Sequence, residues 1–501
     1  MGKDKFSRTL KKQKQAKATS LEVLACFQNG LGQHQAGNLD IAEGLYKQVL
    51  AHEPLHSDAL HLLGFLRHQK NASADAVKLI GQAIRLNPNV AAYHCNLGIV
   101  LFELKHYVDA LASYSRALAL QPAYPEVYYN TAKVQEAQGR YQDALASLES
   151  ALALNPQLVD AHFNKGVALE ALKRHAEALI CYQNVLQLNP SHIDAHWSES
   201  LCRLKLGDFA LGWQKFEWRW RNPKLALGSI SPYLNSPPWL GDAPLAGKTI
   251  LLHIEQGLGD TLQFCRYAPL VAARGADVVL AVQPALKTLL ADLPGVRQIV
   301  SPNDEWPGFD CHCPLMSLPL AFGTRIDTIP ADIPYIFSDP TKVAGWRDRL
   351  GEKKQLWVGL VGSGNPSHKN DSNRSIPLAS LLDQLPVSAR YFSLHQELRP
   401  ADQATLDQHP ELQHFGDQLN DFSDTAALLE LLDLVISVDT AVAHLAGAMG
   451  KPVWLLLPFN ADWRWLLDRD DSPWYPTMRL FRQQSPGNWG EVIARIKSAL
   501  P

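Results

Sequence analysis

Prolines stand at positions 54, 88, 122, 156 and 190, each 34 residues after the last. Proline removes a backbone donor and ends a helix near itself, so this spacing excludes one long helix. It fits a pair of short helices repeated along the chain. Other positions keep the same phase. Gly30, Gly64, Gly98, Ala132 and Gly166 put a small residue in the first helix of each pair, and Ala42, Ala76, Ala110, Ala144 and Ala178 do so in the second. One helical turn after that second set come Tyr46, Ile80, Tyr114, Leu148 and Tyr182, larger apolar groups on the same face. A unit of this size cannot bury its apolar face alone, so neighbours stack into a solenoid with a concave groove.

This is the pattern of the tetratricopeptide (TPR) repeat, and residues 21–225 are similar to a TPR superhelix of about five or six repeats. A sixth unit begins near Ile193, but its second helix departs from the pattern. Gly212-Trp213 replaces the small-residue pair, and Phe216, Trp218 and Trp220 follow. These aromatics read as a terminal cap packing onto the next domain, with a ligand platform as the alternative. TPR grooves hold extended protein segments. Asn96, Asn130 and Asn164 recur at the repeat spacing, with amides suited to gripping a peptide backbone. In this they resemble the asparagine ladder of TPR-linked protein glycosyltransferases; amides that merely face solvent are the alternative.

The chain of 501 residues is too long for one core. A formal net charge of −3 gives no global field for nucleic acid. The charge asymmetry lies in residues 1–20, where Lys3, Lys5, Arg8, Lys11, Lys12, Lys14 and Lys17 face only Asp4. Such a segment reads as a disordered basic tail, with weak contact to an anionic membrane surface or nucleic acid as the alternative. No apolar run follows it, so no secretory leader is expected, and no stretch is long and apolar enough to span a membrane. The seven cysteines are scattered, which together with these points suggests a reduced, cytoplasmic protein. Cys311-His312-Cys313 lacks a second ligand pair at zinc spacing, and neighbouring strand positions face opposite sides, so no metal site is expected there.

Residues 226–247 are rich in Pro and Gly and read as a linker. Beyond them the period changes. Apolar runs at 249–254, 277–282, 356–361, 391–394, 434–438 and 452–457 alternate with helical stretches, the signature of buried parallel strands in doubly wound α/β units. Two lobes follow, 248–340 and 341–501. Ligands of such sheets bind beyond the carboxyl ends of strands. At the first such end, Gly257, Gly259 and Asp260 open a helix; Asp260 reads as a helix cap or as a carboxylate aimed into a cleft. At the second, Gly362, Ser363 and Gly364 precede His368, Lys369 and Arg374, small residues and then cations suited to a diphosphate, with a solvated basic loop as the alternative. At the third, Gln396 follows His395 within reach of a base or ribose. At the fourth, Asp439-Thr440 starts a helix of small residues that carries His444 one turn on, and a helix start favours an anion.

These elements together resemble the heptosyltransferase-like glycosyltransferases (family 9), inverting enzymes of the GT-B fold with twin Rossmann lobes. The resemblance covers roughly 248–501. Its most specific part runs from Asp439-Thr440 through His444 to Gly450-Lys451-Pro452, where the family binds the nucleotide diphosphate. Gly259-Asp260 looks like the family's N-terminal motif, whose Asp is the general base, and Arg374 stands where the family places a phosphate-binding Lys. Ala441, Arg374 and Ile376 depart from the residues usual at their positions, and the first lobe is short for an acceptor lobe.

The resemblance implies a nucleotide-sugar donor, no metal or other cofactor, and a protein or glycan acceptor held by the TPR array. Asp260 would be catalytic. Gly257, Gly259, Gly362, Ser363, Lys369, Arg374, Gln396, Asp439, Thr440 and His444 would bind the donor, and Asn96, Asn130 and Asn164 the acceptor. A non-catalytic TPR adaptor with a degenerate transferase-like region is the rival. For Asp462-Trp-Arg-Trp465 and Ser472-Pro-Trp-Tyr-Pro476 the residues suggest packing of the C-terminal segment across the lobes.

Overall fold

The computed structural model describes residues 21–225, 238–368, 370–386, 388–409 and 412–500. The basic segment 1–20, residues 226–237 of the linker and Lys369 lie outside the described residues. The chain divides into two compact units, one up to Pro190 and one over Ser191–Pro501.

The first unit is helical. Helices at 21–35 and Leu39–His52 precede the pairs Ser57–Gln69/Ser73–Leu86, Ala91–Glu103/Tyr107–Leu120, Pro125–Ala137/Tyr141–Leu154 and Val159–Ala171/His175–Leu188. Each second helix stops two residues before a periodic proline. The residue between them (Glu53, Asn87, Gln121, Asn155 or Asn189) leaves the helical region, with φ from −129° to −141°, as a residue before proline must. The turn inside each pair requires a left-handed residue, at Gly37, Asn71, Lys105, Gly139 and Lys173. Glycine takes this conformation freely, whereas the lysines bear roughly 1–2 kcal/mol. The small-residue phase has a steric cause: a Cβ on Gly98 would lie 2.4 Å from the Tyr114 ring. The periodic alanines and large apolar residues of the second helices are buried.

Asn96, Asn130 and Asn164 are half-buried. The Asn96 amide meets His61 Nε2 at 2.8 Å, and Asn164 donates to Glu136 Oε2 at 3.3 Å. Two of the three amide groups are thus tied to neighbouring helices.

The second unit opens with the helices Ile193–Lys205 and Phe209–Phe216 and a 3-10 turn, Glu217–Arg221. Phe209, Trp213 and Phe216 enter its main core together with Phe264, Trp463 and Trp474. Trp213 meets Trp463 edge-on, with ring centroids 5.2 Å apart. These aromatics are packing groups, as a terminal cap requires. Trp218 stacks on His196, and Trp220 remains partly exposed.

Two all-parallel sheets follow. β1 (Thr249–His253), β2 (Asp277–Ala281), β3 (Val296–Val300) and β4 (Cys311–Pro314) are ordered β3-β2-β1-β4. β5 (Leu356–Val361), β6 (Ala389–Ser393), β7 (Leu412–His414), β8 (Leu434–Val438), β9 (Val453–Leu457) and β10 (Met478–Arg482) are ordered β10-β9-β8-β5-β6-β7. In each sheet the chain winds outward in one direction and then returns to the other side, which opens a crevice at the carboxyl ends between β1 and β4 and between β5 and β8. In β4, Cys313 faces the core, while His312 on the opposite face meets His253 Nε2 through Nδ1 at 3.2 Å.

Candidate functional site

Six of the residues singled out in the sequence (Gly362, Ser363, Arg374, Asp439, Thr440 and His444) follow β5 or β8 in the chain. Gly362 is buried, and a Cβ there would stand 2.6 Å from the Ile376 carbonyl oxygen, so its smallness serves packing. Gly364 has a different role. A Cβ at Gly364 would stand 2.6 Å from Arg374 Nη2, so the bare backbone admits the guanidinium. Arg374 Nη1 donates to the Asp439 carbonyl at 2.9 Å, and its Nε has no hydrogen-bond partner among the described residues. Its carboxylate contact, Asp371 Oδ1, is 3.8 Å away; that oxygen accepts from Ser375 Oγ at 2.9 Å, and Oδ2 accepts from Arg399 at 2.7 Å. Ser363 is turned to His395, and Gln396 is exposed at the end of β6.

Asp439 and Thr440 follow β8 and start the Ala441–Ala448 helix. Thr440 occupies the cap position, but its side chain makes no capping bond; its hydroxyl meets Ser437 Oγ at 3.1 Å. Asp439 is turned inward, with Oδ2 accepting from Trp465 Nε1 at 2.8 Å and Oδ1 3.7 Å from His444 Nε2. Burial works to raise this carboxyl, but His444 and Trp465 outweigh it and hold it below the usual range. His444 Nδ1 in turn meets the Tyr475 hydroxyl at 2.9 Å.

Beyond β1, Gly257 caps the Leu258–Phe264 helix, and Asp260 Oδ2 accepts from the Gly257 amide at 2.8 Å. Asp260 therefore has the capping role that its position suggests, while its other oxygen accepts from Arg464. A Cβ on Gly259 would lie 2.9 Å from His444 Cδ2 and 3.7 Å from Ala441 Cα. The two helix starts meet here, and Asp260 stands beside the start of the Ala441–Ala448 helix. Of the expected site residues, Arg374, Asp439, Thr440 and His444 gather at the start of the Ala441–Ala448 helix, and Gly259 brings Gly257 and Asp260 against it from the β1 side.

Behind the cleft, Arg219 from the 3-10 turn is fully buried. It grips Glu255 by Nε (2.6 Å) and Nη2 (3.0 Å), and Nη2 also donates to Ser317 Oγ at 2.7 Å. Burial opposes the charge of Arg219, yet Glu255 and Glu217 raise its pKa. Arg219, Glu255, Gln263, Arg399 and Arg464 were not signalled by the sequence, since none follows a periodic position or a glycine-rich turn.

Burial pushes His253 and His395 from 6.5 down to about 4. Such a group takes a proton when unfolded but not when folded, so stability rises with pH across that window. The contribution is fully present above pH 6.5 and drains away as pH falls toward 4. Melting curves should show a loss of order 1–3 kcal/mol per histidine over this range, at 1.36 kcal/mol per pH unit. His395→Gln should flatten the slope, and an unchanged slope would assign the acid sensitivity to other groups.

Residues 419–456, from the approach to β8 through β9, match glycosyltransferase family 9 (heptosyltransferase). The second unit therefore contains a glycosyltransferase-like region. Residues 100–139 and 129–193 match TPR repeat families. Protein FlbA of Caulobacter vibrioides is 27% identical over 327 residues, which cover 59% of this chain and 53% of FlbA, so the chain spans about half the length of that relative. Among solved structures, Pseudomonas aeruginosa PilF is 21% identical, with 42% of this chain and 96% of PilF covered and a TM-score of 0.38. MamA is 24% identical, with 33% and 96% covered and a TM-score of 0.30. TPR repeats are protein-interaction modules, and among the described residues no helix is long and apolar enough to cross a membrane.

Proposed function

We propose that this protein is an inverting glycosyltransferase that moves a sugar from a nucleoside-diphosphate donor to an acceptor hydroxyl on a protein or glycan presented by the TPR array. The observation that carries this reading is the meeting of Arg374 with the start of the Ala441–Ala448 helix at the β5/β8 crevice. A helix start is the positive end of its dipole, so a guanidinium there is unfavourable by itself. An anion between the two turns both into attractions. In the reaction the acceptor oxygen bonds to the anomeric carbon, the bond from that carbon to the phosphate oxygen breaks, and the nucleoside diphosphate leaves. Asp260 takes the acceptor proton. Arg374 and the helix amides stabilise the charge that grows on the leaving diphosphate.

The engagement of both Asp260 oxygens favours a second reading, a TPR adaptor whose transferase-like region is a scaffold. One experiment separates them. ADP, UDP, GDP and CDP are added in turn to the full chain, and thermal stability is followed. At a hundred times its Kd, the right nucleotide should add about 2.7 kcal/mol, and Arg374→Ala should abolish most of the shift. No shift with any nucleotide at millimolar concentration would leave the adaptor.

A further inference from the structure

Three groups converge on Arg464. Its Nε donates to Gln263 Oε1 at 2.7 Å, Nη1 to Asp462 Oδ1 at 2.9 Å, and Nη2 to Asp260 Oδ1. Gln263 and Asp260 belong to the helix after β1, whereas Asp462 belongs to the turn after β9. The guanidinium also lies over the Trp463 ring, 4.3 Å from its centroid. Only 9% of the side chain is exposed. Burial works against its charge, and the carboxylates of Asp462 and Asp260 outweigh that and raise its pKa. The next residue, Trp465, is the one that holds Asp439. Immediately after it, Leu466 adopts φ 54° and ψ −162°, a region that residues with side chains avoid. Such backbone persists only where its surroundings hold it, and it collects at functional sites. In this turn it closes the Trp463–Trp465 segment, in which the consecutive side chains of Arg464 and Trp465 reach carboxylates of both lobes.

We infer that Arg464 is a positioning residue for Asp260. The guanidinium fixes one carboxylate oxygen and the Gly257 amide fixes the other, so the plane of the carboxylate is set before an acceptor arrives. A carboxylate has about four lone-pair sites, and these two bonds leave room for an acceptor hydroxyl. The inference rests on the transferase reading, in which Asp260 is the base.

The test is a double-mutant cycle on the full chain. The nucleotide that stabilises the protein in the four-member panel is used as its sugar conjugate, and nucleotide release is measured. Arg464→Met should lower kcat at least about tenfold, without exceeding the roughly 10²–10⁴-fold that the general base itself supplies, with donor KM and nucleotide Kd inside about threefold. Arg464→Lys should recover part of the rate. Groups that act through one another are not additive, so Asp260→Asn/Arg464→Met should turn over no more slowly than Asp260→Asn. If Arg464→Met does not fold, Arg464→Lys takes its place in the cycle. A double variant slower than Asp260→Asn by the full single-variant factor, or a loss confined to nucleotide binding, overturns the positioning role alone. Wild-type turnover in Asp260→Asn removes the base and with it this role. Silence of all four nucleotides removes the transferase reading itself.

Discussion

Arg219→Ala should destabilise the second unit by roughly 3–5 kcal/mol, because it leaves Glu255 charged and unpaired in the interior. The expected fall in melting temperature is on the order of 10 °C, at roughly 2–4 °C per kcal/mol for a unit of this class. The pair is bidentate and fully buried, so water offers little compensation. Arg219→Met/Glu255→Leu removes the fully buried stranded charge and leaves only Glu217, which is partly exposed, without its arginine, so it should recover most of the loss. Chemical denaturation of the three proteins checks both statements. If the double variant is as unstable as the single one, the pair is not the origin of the effect.

This tether also bears on the size of the first lobe. Its sheet has four strands, few for a lobe that must shape an acceptor site. The 3-10 turn Glu217–Arg221 is bound through Arg219 to Glu255, just beyond β1, and to Ser317, just beyond β4. The last helix pair before the sheets therefore closes the carboxyl edge of that sheet and belongs to its core.

The repeats were legible because each of four positions recurs five times at one interval, so every copy confirms the others. The strands were legible only where two faces are buried. The six apolar runs read from the sequence correspond to β1, β2, β5, β6, β8 and β9, all interior strands of their sheets. The edge strands were not legible. β3 reads Val-Arg-Gln-Ile-Val, with its middle exposed, and β10 carries Arg479 and Arg482. An edge strand faces water along one side and needs no continuous apolar run.

The same distinction holds in the cleft. Glycine turns and a helix of small residues announce a crevice locally. The partners that complete it do not, since Arg464 and Asp260 are 204 residues apart in the chain. Asp462-Trp-Arg-Trp465 looked like a packing segment, and Trp463 and Trp465 are indeed buried. Between them stands the residue that engages Asp260.

Asp260→Asn should lower transfer by about 10²–10⁴-fold, the contribution of a general base, while the nucleotide binds as before. An amide cannot accept the proton. It also has one oxygen where the carboxylate has two. That oxygen can keep the Gly257 amide, whereas the amide nitrogen would then face Arg464, donor against donor. A modest loss of stability should accompany the kinetic loss, of order 1–3 kcal/mol for an unsatisfied charged donor. The two effects are separable. Nucleotide-induced stabilisation reports the β5/β8 crevice, which Asp260 borders but does not form, and its size should match the wild type once the lower baseline is taken into account. Turnover at saturating donor reports the proton transfer. Loss of turnover with nucleotide stabilisation retained assigns the chemistry to Asp260. Loss of both would make Asp260 a structural cap, and the base would then have to be sought elsewhere in the cleft.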